Sequence, residues 1–437
     1  MITRRQALLS TLFGTGMVGL RALATGLPVS FLLNPRRALA ELPASGCPDP
    51  SKAQFIIFNT SGQGDPINAN VPGTYDDPNV VHSADPSMAP TQLQIRGQTF
   101  TAAAPWAALP QAVLDRTCFW HLMTNTPVHP KEPDVLKLMG STAAGEMMPS
   151  LLAKQLAACL GTIQAEPLCL GATTPAESLS FGGSALPIIP ALALKSTLTS
   201  AAGPLTDLQP LRDETLSSLY DLYKNDATPA QQAYIDSLVR SQREVRDLDQ
   251  NLLDSLASIT DNSPASQMLA AVTLIQMKVT PVISVHIPFG GDNHRDVGLA
   301  DETSQSVAGV QTIAHLFELL DGAGLTDRVL FATLNVFGRT LGPGTADGRQ
   351  HNENHQVSLT IGNAIRGGVV GGITPVAKDF GATGIDSKTG AAHADGDISA
   401  GDTLASYGQT LLAAVGVDPT VIASQIRSGK IVSGVLA

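Results

Sequence analysis

The sequence contains few aromatic residues and few cysteines. Aromatic residues make up 4% of the chain, and its four cysteines are Cys47, Cys118, Cys159 and Cys169. No two of them are spaced as C-x-x-C, the pattern of many cysteine-based zinc and redox sites, so chemistry of that kind is not expected. In an exported chain an even number of cysteines permits disulfides, and Cys159 and Cys169 are the closest pair in the sequence. Buried free thiols are the alternative.

Basic residues are also fewer than acidic ones. The chain has 27 Lys and Arg against 38 Asp and Glu, which gives a net charge of -11. A surface this acidic repels phosphate backbones, so nucleic acid is not an expected partner, whereas divalent cations are natural counterions. Apolar residues make up 43% of the chain, which is enough for a sizeable core and excludes wholesale disorder.

Acidic residues are absent from the first forty positions, which contain five arginines. The pair Arg4 and Arg5 comes directly after a threonine, and a weakly apolar stretch dotted with glycine follows over residues 7–33. Ala38 and Ala40 then form the A-x-A pattern after which a signal peptidase cuts. Together these features predict a twin-arginine signal peptide.

The predicted signal peptide covers residues 1–40, and the mature chain is expected to begin at Glu41. A retained membrane anchor is the alternative, because the apolar stretch is long enough to span a bilayer. Arg21 lies in its middle, however, and a charge there costs roughly 2.5 to 3.5 kcal/mol on insertion scales. Cleavage removes five arginines and moves the net charge from -11 to -16. We expect export to the periplasm or the extracellular space, with no stable membrane span in the mature protein.

Apolar runs and segments of helical period alternate along the chain. Strands are predicted over residues 54–59, 118–123, 167–170, 282–287 and 328–334, and helices over 148–160, 268–278 and 301–320. This order is typical of an α/β fold with a mostly parallel sheet flanked by helices, here within a single domain over residues 41–437. A polar stretch of helical period over 205–259 predicts an inserted helical hairpin. The strands that end near Asn59, Ile287 and Leu334 are expected to be neighbours that run in the same direction.

Polar side chains gather in the loops that follow three of these strands. Functional loops of a parallel sheet lie at the carboxyl ends of its strands, which selects the loops over residues 62–68, 289–296 and 335–355. The second loop contains Asp292 and His294, which are two residues apart in an extended segment and can face the same side. Carboxylates and imidazoles in such loops are typical ligands of a divalent cation.

The motifs in these loops resemble those of an exported bacterial family known as domain of unknown function 1501, a distant branch of the alkaline-phosphatase and sulfatase-like superfamily. The family motifs G-G-x-D-G-x-N, G-G-W-D-T-H, S-E-F-G-R and G-x-D-H-G stand here as Gly62-Gln-Gly-Asp65-Pro-Ile-Asn68, Gly290-Gly-Asp292-Asn-His294, Asn335-Val-Phe-Gly-Arg339 and Arg349-Gln-His351. A glycine-rich segment, Arg366-Gly-Gly-Val-Val-Gly-Gly372, follows them. Their order and spacing match the family over nearly the whole mature chain.

The resemblance implies an alkaline-phosphatase/sulfatase-like fold and a hydrolase that holds one or two divalent metals, which would be zinc, manganese or calcium. It assigns Asp65, Asp292, His294 and His351 as the metal ligands. The substrate would be a phosphate or sulfate ester, either small and anionic or carried on a polysaccharide. Bound metal would polarise the ester oxygen and acidify a water molecule. The four side chains are then expected to converge on one cleft.

Some positions depart from the pattern of those hydrolases. Val336 and Phe337 stand where the hydrolases have an Asp-His pair and the family has Glu-Phe, so this position offers no carboxylate. The resemblance places His129, or the valine before it, at the position of the nucleophile. It also assigns Arg339 to a catalytic role, in which the guanidinium binds an anionic ester oxygen. A structural salt bridge is the alternative for Arg339, and a turn-forming role is the alternative for Asp65.

These departures leave the function open between two classes. The leading interpretation is an exported metal-dependent hydrolase of phosphate or sulfate esters. The alternative is a degenerate, non-catalytic member of the family that binds a carbohydrate, an ion or a partner protein in the former active-site cleft, and Val336 favours it. The sequence contains no haem, iron–sulfur or dinucleotide motif, so an oxidoreductase ranks last.

Replacing both arginines of the signal, Arg4→Lys together with Arg5→Lys, is expected to block export, because the twin-arginine route reads that pair. Exported wild-type protein should begin at Glu41, and mass spectrometry of the intact protein measures its N-terminus. Exported material that keeps the full N-terminus would overturn the prediction of cleavage.

Overall fold

The computed structural model describes residues 47–49, 51–65, 67–162, 164–171, 179–194, 250–289 and 291–437, together with the isolated positions 214, 218, 221 and 232. The signal peptide predicted over residues 1–40 and the greater part of the helical hairpin predicted over 205–259 lie outside these residues. Among the described residues, none of the helices combines the length and the apolar character that crossing a bilayer requires.

In chain order the described helices are α1 (Gln111–Leu114), α2 (Glu132–Leu136), α3 (Met148–Leu160), α4 (Gln250–Ala257), α5 (Pro264–Gln276), α6 (Ala300–Gly322), α7 (Thr403–Ala414) and α8 (Pro419–Gln425). Three of them, α3, α5 and α6, match the helices predicted over 148–160, 268–278 and 301–320. The helix predicted over 148–160 is confirmed as α3, which carries Pro149 in its first turn and is followed by Gly161 in the left-handed conformation, with φ 62°. Proline suits a first turn because the N–H that it lacks has no partner there, and glycine adopts positive φ without strain.

The strands form one large sheet and several hairpins. In chain order they are β1 (Phe55–Ser61), β2 (Pro90–Ile95), β3 (Gln98–Ala103), β4 (Thr117–Leu122), β5 (Leu168–Cys169), β6 (Ser180–Phe181), β7 (Ser184–Ala185), β8 (Val282–Val285), β9 (Val329–Asn335), β10 (Gly338–Arg339), β11 (His351–Asn352), β12 (Gln356–Ile361), β13 (Gly368–Val370), β14 (Ile373–Val376) and β15 (Asp379–Ala382). The central sheet has the spatial order β13-β4-β12-β9-β1-β8-β5. Each of the five strands predicted from the sequence lies in this sheet.

The central sheet is mostly parallel. β1 pairs in parallel with β8 on one side and with β9 on the other, so that Asn59 lies opposite Val285 and Thr333. β12 is the exception, because it pairs antiparallel with both β9 and β4. The predicted α/β fold with a mainly parallel sheet flanked by helices is confirmed, as is the prediction that β1, β8 and β9 are parallel neighbours. Their carboxyl ends therefore lie at one edge of the sheet.

Both faces of the sheet are covered, which explains the unbroken apolar run of β1. Phe55 and Ile57 belong to one core cluster and Ile56 and Phe58 to the other, as the two-residue period of a strand requires. All four are at most 1% exposed. A strand that is buried on both sides needs apolar residues at every position rather than at alternate ones.

Cys47 and Cys159 form a disulfide, with their Cα atoms 5.4 Å apart. The bond joins residues that are 112 positions apart and ties the segment before β1 to the end of α3. Cys118 and Cys169 are buried free thiols in β4 and β5. Cys169, the nearest cysteine to Cys159 in the sequence, is therefore not its partner, and the alternative of buried free thiols holds for Cys118 and Cys169.

Two histidines share a buried hydrogen bond between β4 and the segment before β12. His121 Nδ1 lies 2.9 Å from His355 Nε2, and the two rings are stacked with centroids 5.2 Å apart. His121 Nε2 lies 3.0 Å from the carbonyl oxygen of Pro72, which only accepts, so His121 carries its proton on Nε2 and accepts from His355 at Nδ1. Burial lowers the pKa of His121 to about 4 and the pKa of His355 well below its usual value. Both rings are therefore neutral at pH 7.

Acid is expected to weaken the fold through this pair, and His121→Gln should remove part of that effect. An unfolded imidazole titrates near pH 6.5, whereas the folded ones have lower pKa values. Between about pH 6.5 and pH 4 the unfolded state thus binds more protons, and the free energy of unfolding falls as the pH falls. For His121 the difference corresponds to on the order of 3 kcal/mol. Urea unfolding of wild type and variant, each near neutral pH and near pH 5, measures it.

His315→Gln is the control for this experiment. The His315 side chain on α6 is 43% exposed, so this variant should keep the pH dependence of the wild type. If His121→Gln also keeps that dependence, His121 is not held neutral by the fold.

Candidate metal centre

Four side chains meet at the edge of the sheet where the carboxyl ends of β1, β8 and β9 lie. They are His129, Asp292, His294 and His351, and each offers one donor atom that lies within 4.8 Å of the other three. The three histidines are partly buried and the aspartate is exposed. A group of imidazoles and a carboxylate at this separation could hold a metal ion.

Three separate segments carry these side chains. Asp292 and His294 lie in the loop after β8. His351 is on β11, in the antiparallel hairpin with β10 that follows β9. His129 opens a short 3₁₀ turn in the chain that follows β4. The sheet brings these distant segments together because the strands that precede them end at the same edge.

Backbone carbonyls fix the tautomers of two of the imidazoles. His129 Nδ1 lies 2.6 Å from the carbonyl oxygen of Gly62, and His351 Nδ1 lies 2.6 Å from that of Pro127. A carbonyl oxygen only accepts, so in the neutral ring each Nδ1 carries the proton and each Nε2 presents a lone pair. Histidines that bind metals are usually held in this way, with the other ring nitrogen donating to a carbonyl or a carboxylate. The hydrogen bonds of these two rings therefore match those of a histidine that binds a metal through Nε2.

His294 completes the set of imidazoles. Its Nε2 lies 2.8 Å from Nε2 of His351 and 3.3 Å from Oδ1 of Asp292. Because Nε2 of His351 carries no proton, Nε2 of His294 donates the hydrogen that links the two rings. Its Nδ1 is buried and has no hydrogen-bond partner among the described residues. Moving the proton to Nδ1 would free Nε2 for a cation, but within the described part of the chain this ring lacks the carbonyl acceptor that His129 and His351 have at Nδ1.

Arg339 sets the charge around Asp292. Its side chain is fully buried, and Nη2 lies 3.2 Å from Oδ1 of Asp292 and 3.4 Å from the carbonyl oxygen of Gly291. Nη2 also donates to the carbonyl oxygen of Gln63. Burial lowers the pKa of Arg339, and the neighbouring carboxylate of Asp292 opposes that shift. Of the two roles considered for Arg339 from the sequence, the geometry shows the salt bridge.

Asp65 lies outside the group of four. It is fully buried, with Oδ1 accepting from the backbone N–H of Ile67 at 2.9 Å and Oδ2 from that of Val357 at 2.5 Å. Burial raises the pKa of Asp65 to about 7, although the hydrogen bonds from Val357 and Ile67 lower it. The bond from Val357 ties the loop after β1 to the start of β12, and the bond from Ile67 closes a turn within the loop. The structure thus gives Asp65 the turn-forming position, and His129 stands in the group instead.

Val336 and Phe337 are both 0% exposed and offer no donor atom to the group. The position at which the hydrolases have an Asp-His pair is therefore part of the core here. The ring of Phe337 instead stacks against the ring of His351, with centroids 4.1 Å apart and planes 26° from parallel. This contact was not predicted, because a Phe at the end of a buried strand looks like any other core residue in the sequence.

Comparison with known proteins identifies the family of the chain. A family model described as "Protein of unknown function (DUF1501)" matches residues 202–420. The chain belongs to this family. The matched part contains Asp292, His294 and His351, whereas His129 comes before it. No curated protein matches the chain.

Two solved structures have a weak likeness to this DUF1501 member. The lipoteichoic acid synthase LtaP from Listeria monocytogenes has 9% sequence identity and a TM-score of 0.35, and the match covers 88% of this chain and 76% of that one. PH0037 protein from Pyrococcus horikoshii has 10% identity and a TM-score of 0.26, and the match covers 76% of this chain and 91% of that one. At these TM-scores neither likeness supports a conclusion about this chain.

A buried ion pair within the DUF1501 match holds the loop that carries Asp292 and His294. Arg349 Nε lies 2.5 Å from Glu302 Oε2, Nη2 lies 3.0 Å from Oε1, and both side chains are 0% exposed. The backbone N–H of Arg349 donates to the carbonyl oxygen of Asn293 at 3.0 Å, between the two donor residues. Asn293 Nδ2 in turn lies 3.3 Å from Glu302 Oε2. The pair was not predicted from the sequence, where Glu302 is simply an acidic residue in the first turn of α6.

Arg349→Met is expected to lower the free energy of unfolding by about 3 to 5 kcal/mol, because it leaves the carboxylate of Glu302 buried without its cation. Urea unfolding followed by circular dichroism measures the loss. The double variant Arg349→Met with Glu302→Leu removes both charges and should recover most of it. Arg116→Met breaks a pair whose side chains are 31% and 67% exposed, and should cost less than about 1 kcal/mol. An equal loss in Arg349→Met and Arg116→Met would contradict a structural role for the buried pair.

Proposed function

We propose that this protein is an exported, metal-dependent hydrolase of phosphate or sulfate esters, either small or carried on a polysaccharide. The convergence of three imidazoles and one carboxylate supports the proposal most, since Gly62 and Pro127 already fix the tautomers of two of the rings. Ligands of open α/β sheets bind at this edge, outside the carboxyl ends of the strands. The disulfide between Cys47 and Cys159 is in keeping with an exported chain.

The donor set suits zinc better than the other cations that the sequence left open. His129, His294 and His351 would supply nitrogen atoms and Asp292 an oxygen, a mixture that zinc accepts readily. Calcium takes six to eight oxygen ligands, and manganese favours carboxylates, carbonyls and water, so three imidazoles fit both poorly. A divalent cation bound there would polarise an ester oxygen and lower the pKa of a water molecule.

The charges of the surrounding side chains favour an anionic substrate. Burial, the main cause, lowers the pKa of His351 below its usual value, so this ring is neutral at pH 7. Arg339, with Nη2 3.2 Å from Oδ1 of Asp292, offsets the charge of that carboxylate. A dication held by these groups would keep most of its positive charge and attract a phosphate or sulfate group. Asp292 and His294 are 46% and 35% exposed, which leaves such a group a path to the centre.

We assign His129 to the ligand set rather than to the role of nucleophile. Its Nδ1 donates to the carbonyl oxygen of Gly62, which leaves Nε2 as the atom available to the centre. Arg339 is likewise assigned as the partner of Asp292, because its buried guanidinium does not reach the surface. The attacking nucleophile therefore comes from outside these side chains.

A metal-binding protein without catalytic activity is the second candidate. Four protein donors fill a tetrahedral shell, as they do in structural zinc sites, whereas catalytic sites usually keep one position open. The presence of a fourth donor, Asp292, beside three imidazoles is the observation that favours this candidate. In this form the cleft would bind an ion, a carbohydrate or a partner protein without turnover.

Protein purified without chelator and dialysed against zinc is expected to retain zinc and to hydrolyse p-nitrophenyl phosphate or p-nitrophenyl sulfate. His294→Ala removes one donor, and should lower bound zinc and hydrolysis together by at least about tenfold. Mass spectrometric metal analysis and release of p-nitrophenol measure the two quantities. His315→Ala replaces a histidine on α6 whose side chain is 43% exposed, and should change neither.

Different outcomes separate the two candidates. Zinc bound in wild type and lost in His294→Ala, without hydrolysis of either ester, would favour the non-catalytic protein. Wild-type protein that retains no zinc after dialysis would overturn the metal centre and the metal-dependent hydrolase with it.

A further inference from the structure

Phe337 lies directly beneath two of the imidazoles of the metal centre. Its ring centroid is 4.1 Å from that of His351, with the planes 26° from parallel. It is 4.9 Å from the centroid of His129, where the planes meet at 64°. The guanidinium carbon of Arg339 lies 5.4 Å from the same ring centre. A single aromatic ring thus contacts two of the four donor residues and the partner of a third.

We propose that Phe337 is a positioning residue of the metal centre, whose ring sets the directions in which His129 and His351 present Nε2. The proposal rests on the proposed metal centre and concerns how this chain builds it. Each of the two imidazoles has one hydrogen bond to a backbone carbonyl at Nδ1. The bond at Nδ1 holds a ring nitrogen in place but leaves the ring able to rotate about that contact, although Nε2 of His351 also lies 2.8 Å from Nε2 of His294. Packing against Phe337 limits this freedom, because its ring stacks on that of His351 at 26° and meets that of His129 in a T-shaped contact at 64°.

Gly64 gives independent support for this role. Its φ is +107°, and a Cβ added there would lie 2.8 Å from Cε2 of Phe337 and 2.9 Å from Nε of Arg339. Only glycine allows the loop after β1 to pass so close over the ring. The same loop supplies the carbonyl oxygen of Gly62 to His129. The loop therefore makes room for the aromatic ring and holds one of the imidazoles that rest on it.

The central sheet holds the backbone next to Phe337 in place. The backbone N–H of Val336 donates to the carbonyl oxygen of Ser61 at 3.0 Å, which continues the pairing of β9 with β1. Phe337 itself is 0% exposed and is part of a core cluster of the sheet. Its position is therefore set by the framework, and the imidazoles take their orientation from it. Rigid support of this kind is what keeps metal ligands at productive angles.

Phe337→Leu is expected to weaken Zn²⁺ binding by about 10- to 100-fold, the range found when the groups that support metal ligands are removed. Calorimetric titration of the full chain with Zn²⁺ measures the affinity. The visible absorption spectrum of bound Co²⁺ should also change, because it depends on the directions of the ligand atoms. Phe331→Leu is the matched control, since Phe331 is on β9, is 0% exposed and packs in the apolar core. It should keep the wild-type affinity and Co²⁺ spectrum.

If Phe337→Leu does not fold, Phe337→Met replaces it, because methionine fills irregular apolar space without an aromatic face. Unchanged Zn²⁺ affinity and an unchanged Co²⁺ spectrum in the folded variant would overturn the role of Phe337 while leaving the metal centre in place. Failure of both Phe337 variants to fold, when Phe331→Leu folds, would assign Phe337 to the core alone and would also overturn the proposal. No Zn²⁺ binding by the wild type would instead remove the metal centre itself.

Discussion

β1 lies between β8 and β9 and runs parallel to both, from Phe55 opposite Val329 to Ser61 opposite Asn335 on one side. Parallel strands end at a common edge, and the chain leaves that edge after each of β1, β8 and β9. After β1 it forms the loop whose Gly62 carbonyl oxygen accepts from His129. After β8 it forms the loop that carries Asp292, the one carboxylate of the donor group. After β9 it forms the hairpin that carries His351. The candidate metal centre depends on this pairing, since a strand of opposite direction would carry its loop to the other edge.

Much of this framework could be predicted because its signals are local. A strand buried on both faces is apolar at each position, as in Phe55 to Phe58. Pro149 and Gly161 likewise mark the start and the end of α3. The disulfide could not be predicted in the same way. Sequence distance favoured the wrong partner for Cys159, whereas the fold brings Cys47 to it from 112 positions away. Which cysteines form a disulfide depends on where the helices and strands pack, and no short sequence motif encodes that packing.

The sequence predicted that histidines and carboxylates would form the candidate centre, but it did not predict correctly which residues belong to it. Side chains at the ends of strands identified Asp292, His294 and His351, which the structure brings together. Asp65 stands in an equally suggestive loop, but two backbone N–H groups, those of Ile67 and Val357, occupy its oxygens, and the second of them is 292 positions away. The orientation of a side chain depends on such distant partners. For the same reason the contact between an ordinary core ring and two imidazoles is visible only in three dimensions.

The candidate centre joins three imidazoles, two of them held by backbone carbonyls, to a carboxylate whose charge an arginine offsets. X-ray absorption spectroscopy of the zinc-loaded wild-type protein tests this arrangement most directly. It should show zinc–nitrogen distances of about 2.0 to 2.1 Å with the outer-shell scattering of three imidazole rings, together with an oxygen ligand. A shell made only of oxygen atoms, or one that contains sulfur, would contradict a metal centre built from His129, His294 and His351.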